Sequence, residues 1–367
     1  MNRTELKILI VAVIISITGI LSIYSNTYCK EGEIWSIIYK RQIIWTALGI
    51  AVYLFISRVN YRKFWDLTYV LYFLALLLLF IVFISGVVRL GAQRWIRLAW
   101  FNFQPSEVVK LVIVVFLARY FSRKSADDMS LKVNRYGMFK ALILPFVFVA
   151  VPTFFIIEQP DLGSGVIVIC IFMAMLFLAN VKLKYIAFFL VLSLLVLPVG
   201  WGMLRDYQKE RLLVFLNPGI DPLGAGYTII QSKIAVGSGG LLGKGWLAGT
   251  QNQLHFLPES HTDFIFAVFS EERGVLGALL LLALYFFLIQ QALSIASRTS
   301  DTFGKLLASG IGLVLTIQVF INVAMNMGMA PVVGLPLPLM SYGGSSVIVT
   351  YAALGMLVNI NKHRAVF

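Results

Sequence analysis

The residue best placed to move a proton is Asp263. It closes a dense polar stretch that holds Thr250, Gln251, Asn252, Gln253, His255, Glu259, Ser260 and His261, and it stands directly before the apolar Phe264, Ile265 and Phe266. A carboxylate half-sheltered at such a boundary has a raised pKa and can take a proton from a hydroxyl near neutral pH. A structural reading competes with this one. Ser260 and Asp263 are three apart, the spacing of a helix capping box.

Glu107 and Lys110 are also three apart, just inside an apolar run that Pro105 opens. They share one helix face, where ionisable groups in a membrane mark a site or a pathway. An intrahelical ion pair is the alternative. The segment before them carries Arg89, Arg94 and Arg97 with Trp95, Trp100, Phe101 and Phe103. Arginines among aromatics at a membrane surface suit a phosphate-bearing headgroup, or simply an aromatic belt. Asp161, ahead of Gly163 and Gly165, either caps a helix or serves the site. Gln231 and Lys233 lie among Tyr227, Ile230 and Ile234, a spacing that fits a helix in or near the interface. The glycine-rich run that follows contains Lys244, an ammonium that can meet phosphate together with backbone N–H groups, or a flexible linker. Its spacing is not that of a nucleotide-binding loop. Ser341, Tyr342, Ser345 and Ser346 follow a Pro-rich segment and form either a polar cavity wall or a tight packing turn.

These residues must be held by membrane helices. Of 367 residues, 59% are hydrophobic and only 13% charged, with a mean hydropathy of +0.88. A soluble domain is about 45–50% apolar and about 25% charged. The composition excludes an ordinary soluble enzyme, a disordered chain and a nucleic-acid-binding domain. Two cysteines are too few for a disulfide framework. Uncharged runs cover Ile8–Cys29, Gln42–Ser57, Leu67–Val88, Ala141–Ile157, Leu162–Val181, Tyr185–Leu204 and Gly274–Ser297, and between the third and fourth of these the shorter Leu111–Ala118 becomes long enough to span only when extended back to Pro105. Leu306–Asn361 is one more such run, long enough for two helices and broken by Pro331, Pro336 and Pro338.

The expected fold is therefore all-α and polytopic, with ten transmembrane helices in a single domain over 1–367. The first run lacks a signal-peptide cleavage pattern and counts as a span. With both termini cytoplasmic, seventeen of the 30 basic residues and five acids fall inside, so +12 of the net +13 lies on that face. Anionic lipid accounts for this charge, and no nucleic acid is needed. The longest loop, 203–262 between helices 7 and 8, then falls outside, and the working face is expected to be extracytoplasmic.

Seven stretches together resemble the SEDS family (shape, elongation, division and sporulation proteins), most closely its rod-shape-determining branch. They are Gly91–Ile96, Gln104–Lys110, Gln159–Gly163, Lys233–Gly240, Gly243–Gln251, Leu257–Ala267 and Gly334–Ser346, in family order over nearly the whole chain. The resemblance implies a peptidoglycan glycosyltransferase of the bacterial cytoplasmic membrane. Such an enzyme polymerises lipid II, a disaccharide-pentapeptide on undecaprenyl diphosphate, beside a class B penicillin-binding protein that crosslinks the product. It also implies that the family's essential Asp is Asp263, that its Glu and Lys are Glu107 and Lys110, and that its loop Trp is Trp95.

The residues fit that chemistry. Asp263 takes the proton of the acceptor hydroxyl, and Lys110, Arg94 and Lys244, in that order, are expected to stabilise the departing diphosphate. Alternatively Asp263 holds a divalent cation, Mg2+ or Mn2+, that bridges the phosphates. No His/carboxylate spacing specifies a metal site. A lipid II flippase is the rival function, and a non-catalytic scaffold is the third. The polar motifs gather on one face, whereas alternating access needs a midplane site between repeats.

Overall fold

The computed structural model describes residues 3–28, 33–89, 92–98, 101–122, 142–203, 206–221, 224–254 and 256–363. Cys29, Trp100, His255, Arg123, Lys124, Asp127, Asp128, Lys132, Arg135, Lys140 and Arg364 lie outside the described residues.

The uncharged runs form helices because a chain in lipid must satisfy its backbone polar groups internally. In chain order these are α1 (Arg3–Tyr28), α2 (Glu33–Ile56), α3 (Arg62–Ser85), α4 (Pro105–Ser122), α5 (Leu144–Glu158), α6 (Leu162–Leu178) and α7 (Leu183–Met203). Then come α8 (Asp206–Leu216), α9 (Ala225–Ser238), α10 (Ile265–Arg298), α11 (Thr302–Asn326) and α12 (Gly344–His363). Five of them, α1, α3, α10, α11 and α12, are long and apolar enough to cross a membrane. α5 and α6 are shorter apolar helices, as is the first part of α7.

The segment between α3 and α4 corrects the all-α expectation. It folds into three antiparallel strands, β1 (Val87–Arg89), β2 (Ala92–Leu98) and β3 (Phe101–Phe103), in the order β1-β2-β3. Val87 pairs with Trp95 and Ile96 with Phe103. Short β-rich strands of Val, Ile, Trp and Phe were hidden by the arginines and glycines between them.

α4 is the central post. Nearly every side chain from Pro105 to Phe121 is buried, including Glu107 and Lys110, and the helix packs against α3, α6, α11 and α12. One hydrophobic core runs from Ile8 of α1 to Ile360 of α12.

Contacts at the ends of α1 orient the bundle. Near its start, the Glu5 carbonyl accepts from the Tyr53 hydroxyl at 3.0 Å. Asn359, near the end of α12, accepts from the Tyr61 N–H at 2.7 Å and donates to the Ser57 carbonyl at 3.0 Å. At the other end of α1, about 39 Å away at helical rise, Ser25 donates to Glu272, and Ser260 bonds Asn26 at 3.0 Å. The starts of α1 and the close of α12 thus share one end of the bundle, and the segment leading to Asp263 lies at the opposite end.

α10 is broken at Gly274, whose φ of +66° interrupts the helix. The glycine-rich loop after α9 fills the break. The N–H groups of Lys244 and Gly245 donate to the carbonyls of Glu271 and Glu272 at 3.0 and 3.1 Å. The N–H groups of Val275 and Leu276 donate to Gly240 and Leu241 at 2.9 and 3.2 Å. Orphaned groups of both half-helices are satisfied by one loop, which answers the linker reading of that stretch.

Candidate active site

Asp161 builds the first wall. It precedes α6 and caps it, accepting from the Ser164 N–H at 3.2 Å. Its other carboxylate oxygen accepts from Gln104 Nε2 at 3.3 Å and Ser106 Oγ at 3.2 Å. Arg94 of β2 brings Nη1 to 3.6 Å from Asp161 Oδ1 and donates through Nη2 to the Pro160 carbonyl. One buried carboxylate therefore joins β2, the start of α4 and the start of α6. Asp161 thus caps α6 and at the same time holds Arg94.

The second wall carries Asp263. Its backbone carbonyl accepts from Asn322 Nδ2 and Asn326 Nδ2, both at 3.0 Å. Asn326 Oδ1 accepts from the Ala267 N–H at 3.0 Å, and Asn322 Nδ2 also donates to the Leu335 carbonyl at 2.7 Å. Ser341 donates to the Thr262 carbonyl at 2.6 Å and accepts from the Leu337 N–H at 2.7 Å. Buried amides thus pin both the residues around Asp263 and the Pro-rich segment. The capping-box reading does not hold. α10 begins after Phe264 with no side-chain cap, and Ser260 bonds Asn26 instead.

Gly334 lies between the two walls. A Cβ there would sit 3.4 Å from Asp263 Oδ2 and 3.6 Å from Arg94 Nη1, so carboxylate and guanidinium face each other across a residue without a side chain. Its φ of +71° also favours glycine. Asp263 keeps partial access to the exterior, yet enclosure by protein raises its pKa from 3.8 to about 7. Burial is the largest cause; the Glu259 and Asp161 charges raise it further, while Arg94 and Arg211 oppose them. The group can exchange a proton at physiological pH.

A cleft opens beside this pair, lined by Arg94, Pro160, Gln208, Arg211, Pro331 and Val332. Arg211 donates to the Val332 carbonyl at 3.4 Å. Sequence reasoning missed Arg211, Gln208 and the asparagine pair. The asparagines did leave a signal, since Asn322 and Asn326 are four apart on one face of an uncharged helix. Arg211 left none, because a surface helix with several charges is ordinary.

The other expected site residues are dispersed. Glu107 and Lys110 are 3% and 1% exposed and pair with each other, Nζ to Oε1 at 2.7 Å. Trp95 is half-buried in β2 beside Arg94. Gln231 is half-buried on α9. Lys244 pairs with the buried Glu271 at 2.7 Å, and the same carboxylate oxygen accepts from Thr250 Oγ1 at 3.0 Å and the Gln251 N–H at 3.1 Å. Lys244 and Gln251 thus brace the loop in the α10 break. Ser345 accepts from the Gln104 N–H at 2.9 Å. With Leu335, Leu337, Leu339 and Met340 buried, the Pro-rich segment and its serines form a packing turn, not an open polar wall.

Among the described residues, no group of three or more His, Cys, Asp or Glu side chains converges to hold a metal ion. The protein donors at Asp263 are one carboxylate facing arginine, a set suited to an anion more than to a divalent cation.

The family described as cell cycle protein, FTSW_RODA_SPOVE, matches residues 5–366. The chain is 44% identical over 326 residues to the peptidoglycan glycosyltransferase MrdB of Escherichia coli, covering 89% of this chain and 86% of that protein. It is 36% identical over 368 residues to the probable peptidoglycan glycosyltransferase FtsW of Geobacter sulfurreducens, covering 98% and 95%. Its fold is similar to a chain solved in work on the structural coordination of polymerization and crosslinking by a peptidoglycan synthase complex. That match has a TM-score of 0.80, 31% identity, and covers 98% of this chain and 97% of that one. It is also similar to a crystallised variant of the Thermus thermophilus rod shape determining protein RodA, with a TM-score of 0.71, 25% identity and coverage of 98% and 97%.

Proposed function

The chain belongs to the FtsW, RodA and SpoVE family of cell cycle proteins, and on that premise we propose that Asp263 is the general base of its glycosyl transfer. The chain is a multi-pass membrane protein and a peptidoglycan glycosyltransferase. The substrate is lipid II. The acceptor sugar hydroxyl gives its proton to the Asp263 carboxylate, and its oxygen forms the new bond at the anomeric carbon of the donor. The anomeric C–O bond to diphosphate breaks, and the diphosphate leaves with the electron pair. Arg94, beside Asp263, offsets the charge that develops on the leaving group.

The observation that carries this reading is a partly accessible carboxyl, with a pKa of about 7, facing a guanidinium across Gly334. Neither group is at the midplane of the bundle. Both lie among the segments at the end opposite Glu5 and Asn359. That placement supports a ten-span arrangement with both termini cytoplasmic, residues 1–367 as one domain, and an extracytoplasmic site on the bacterial cytoplasmic membrane. A class B penicillin-binding protein is the proposed partner, taking the new glycan for crosslinking.

Glu107 and Lys110 act by position. Their pair is buried in α4 one residue beyond Ser106, which bonds Asp161, so it sets the wall that holds Arg94. The test of the function is polymerisation of lipid II by the purified chain with its partner. Long glycan from wild type and none from Asp263→Asn, with normal folding, supports the reading. Translocation of labelled lipid without polymer would favour the flippase instead.

A further inference from the structure

Asp263 stands where a carboxylate ordinarily turns back to cap a helix. α10 begins at Ile265, and its own chain gives it no side-chain cap. The open N–H groups of a first turn, and the positive end of the helix dipole, draw an acid in this position. A carboxylate held there is stabilised in its charged form and makes a poor base near neutral pH. Yet Asp263 Oδ2 faces Arg94 across Gly334, away from the helix.

The capping group comes instead from α11. Asn326 Oδ1 accepts from the Ala267 N–H at 3.0 Å, and that N–H also reaches the Phe264 carbonyl at 3.1 Å. Asn326 Nδ2 and Asn322 Nδ2 both donate to the Asp263 carbonyl at 3.0 Å. The two amides are tied to each other, Asn326 Nδ2 to the Asn322 carbonyl at 2.8 Å. Asn322 Nδ2 also holds the Leu335 carbonyl at 2.7 Å, next to Gly334. Both asparagines are 0% exposed. Both sides of the gap between carboxylate and guanidinium therefore hang from one pair of neutral side chains. The chain from Leu306 to Asn361 carries no charge, so this face of α11 adds none. The charges acting on Asp263 are Glu259, Asp161, Arg94 and Arg211.

We infer that Asn322 and Asn326 are positioning residues for the transfer: they cap α10 from α11 and hold Asp263 by its backbone, so that its carboxylate stays aimed at the cleft and not at the helix. This rests on the proposed role of Asp263 and names what keeps that group available. Both asparagines act through Asp263.

The experiment measures polymerisation of lipid II against pH by the full chain with its partner, with thermal melting as the folding check. N326A removes the cap and one of the two donors. Its kcat should fall by about 10–100-fold, part of what a positioned base contributes, with KM changed by less than about twofold. The released carboxylate reaches the first-turn N–H groups, so the rising limb of the profile should move down by about one to two pH units, the effect of one hydrogen bond to an ionised carboxylate. A rate loss with the limb fixed means that Asn326 only supports the fold, and it overturns the proposal. If N326A does not fold, N326S decides. Its hydroxyl bonds the carbonyl four residues back, as serine does in helices, and is too short to reach Ala267. The same downward limb is expected, and a fixed limb again overturns the proposal.

A second readout needs no catalysis. The stability that D263N gains over its parent at pH 8 should shrink by at least about twofold when the parent is N326A or N326S, because Asp263 bonded to the helix no longer holds its proton tightly. A shrunken gain with D263N still polymerising removes the base and leaves the clasp standing. An inactive D263N, with the full gain and a fixed limb in the asparagine variants, keeps the base and removes the clasp.

Discussion

Arg94 Nη1 lies 3.6 Å from Asp161 Oδ1, and this pair ties the strand segment to the first turn of α6 next to Asp263. Replacing Asp161 by Asn keeps an oxygen for the Ser164 N–H but removes the charge that holds Arg94. Polymerisation should fall by about 10–100-fold, as expected for loss of a charge-assisted contact. Initial rates on lipid II give the test, and a wild-type rate would separate Arg94 from the reaction.

The pH profile follows from the raised pKa of Asp263, about 7 against an ordinary 3.8. A base works deprotonated, so the rate should climb through about pH 7 and level off above it. Glu259→Gln removes a charge that raises this pKa, and its rising limb should move to lower pH. A limb that stays fixed would show that another group titrates.

The same shift makes a statement about stability. The folded state holds the Asp263 proton more tightly than the unfolded chain, so stability is highest below about pH 4 and declines as pH rises to about 7. Asp263→Asn escapes this loss. At pH 8 it should be more stable than wild type by roughly 2 kcal/mol after allowance for partial exposure, and the difference should vanish at pH 4. Thermal melting at the two pH values reads it out.

Lys110 and Glu107 make a buried pair, and removing one partner strands a charge. Lys110→Met alone should destabilise by about 3–5 kcal/mol, whereas a double replacement by Met and Gln should recover most of that loss. Recovery of polymerisation in the double variant would establish the positioning role. Stability restored without activity would mean that the pair touches substrate.

How much of this was legible in the sequence depends on the kind of signal. Gly274 marks the start of the eighth uncharged run and is where α10 breaks. Pro105 opens α4 because a helix needs no N–H at its first position. Asp161 and Asp263 were found because a carboxylate next to an apolar run requires an explanation. The strands were not read, because three short segments carry too few residues for a period to stand out. Lys244 was read as a phosphate ligand because its partner Glu271 is 27 residues away, a distance that local spacing does not reveal. Arg211 comes to line the same cleft as Arg94 only through tertiary packing.

The most direct measurement is glycan synthesis from lipid II by Asp263→Asn beside wild type, both folded and both with the crosslinking partner. No polymer from the variant, with its melting temperature at pH 4 equal to that of wild type, is the expected result. Long glycan from the variant at the wild-type rate would contradict the central claim.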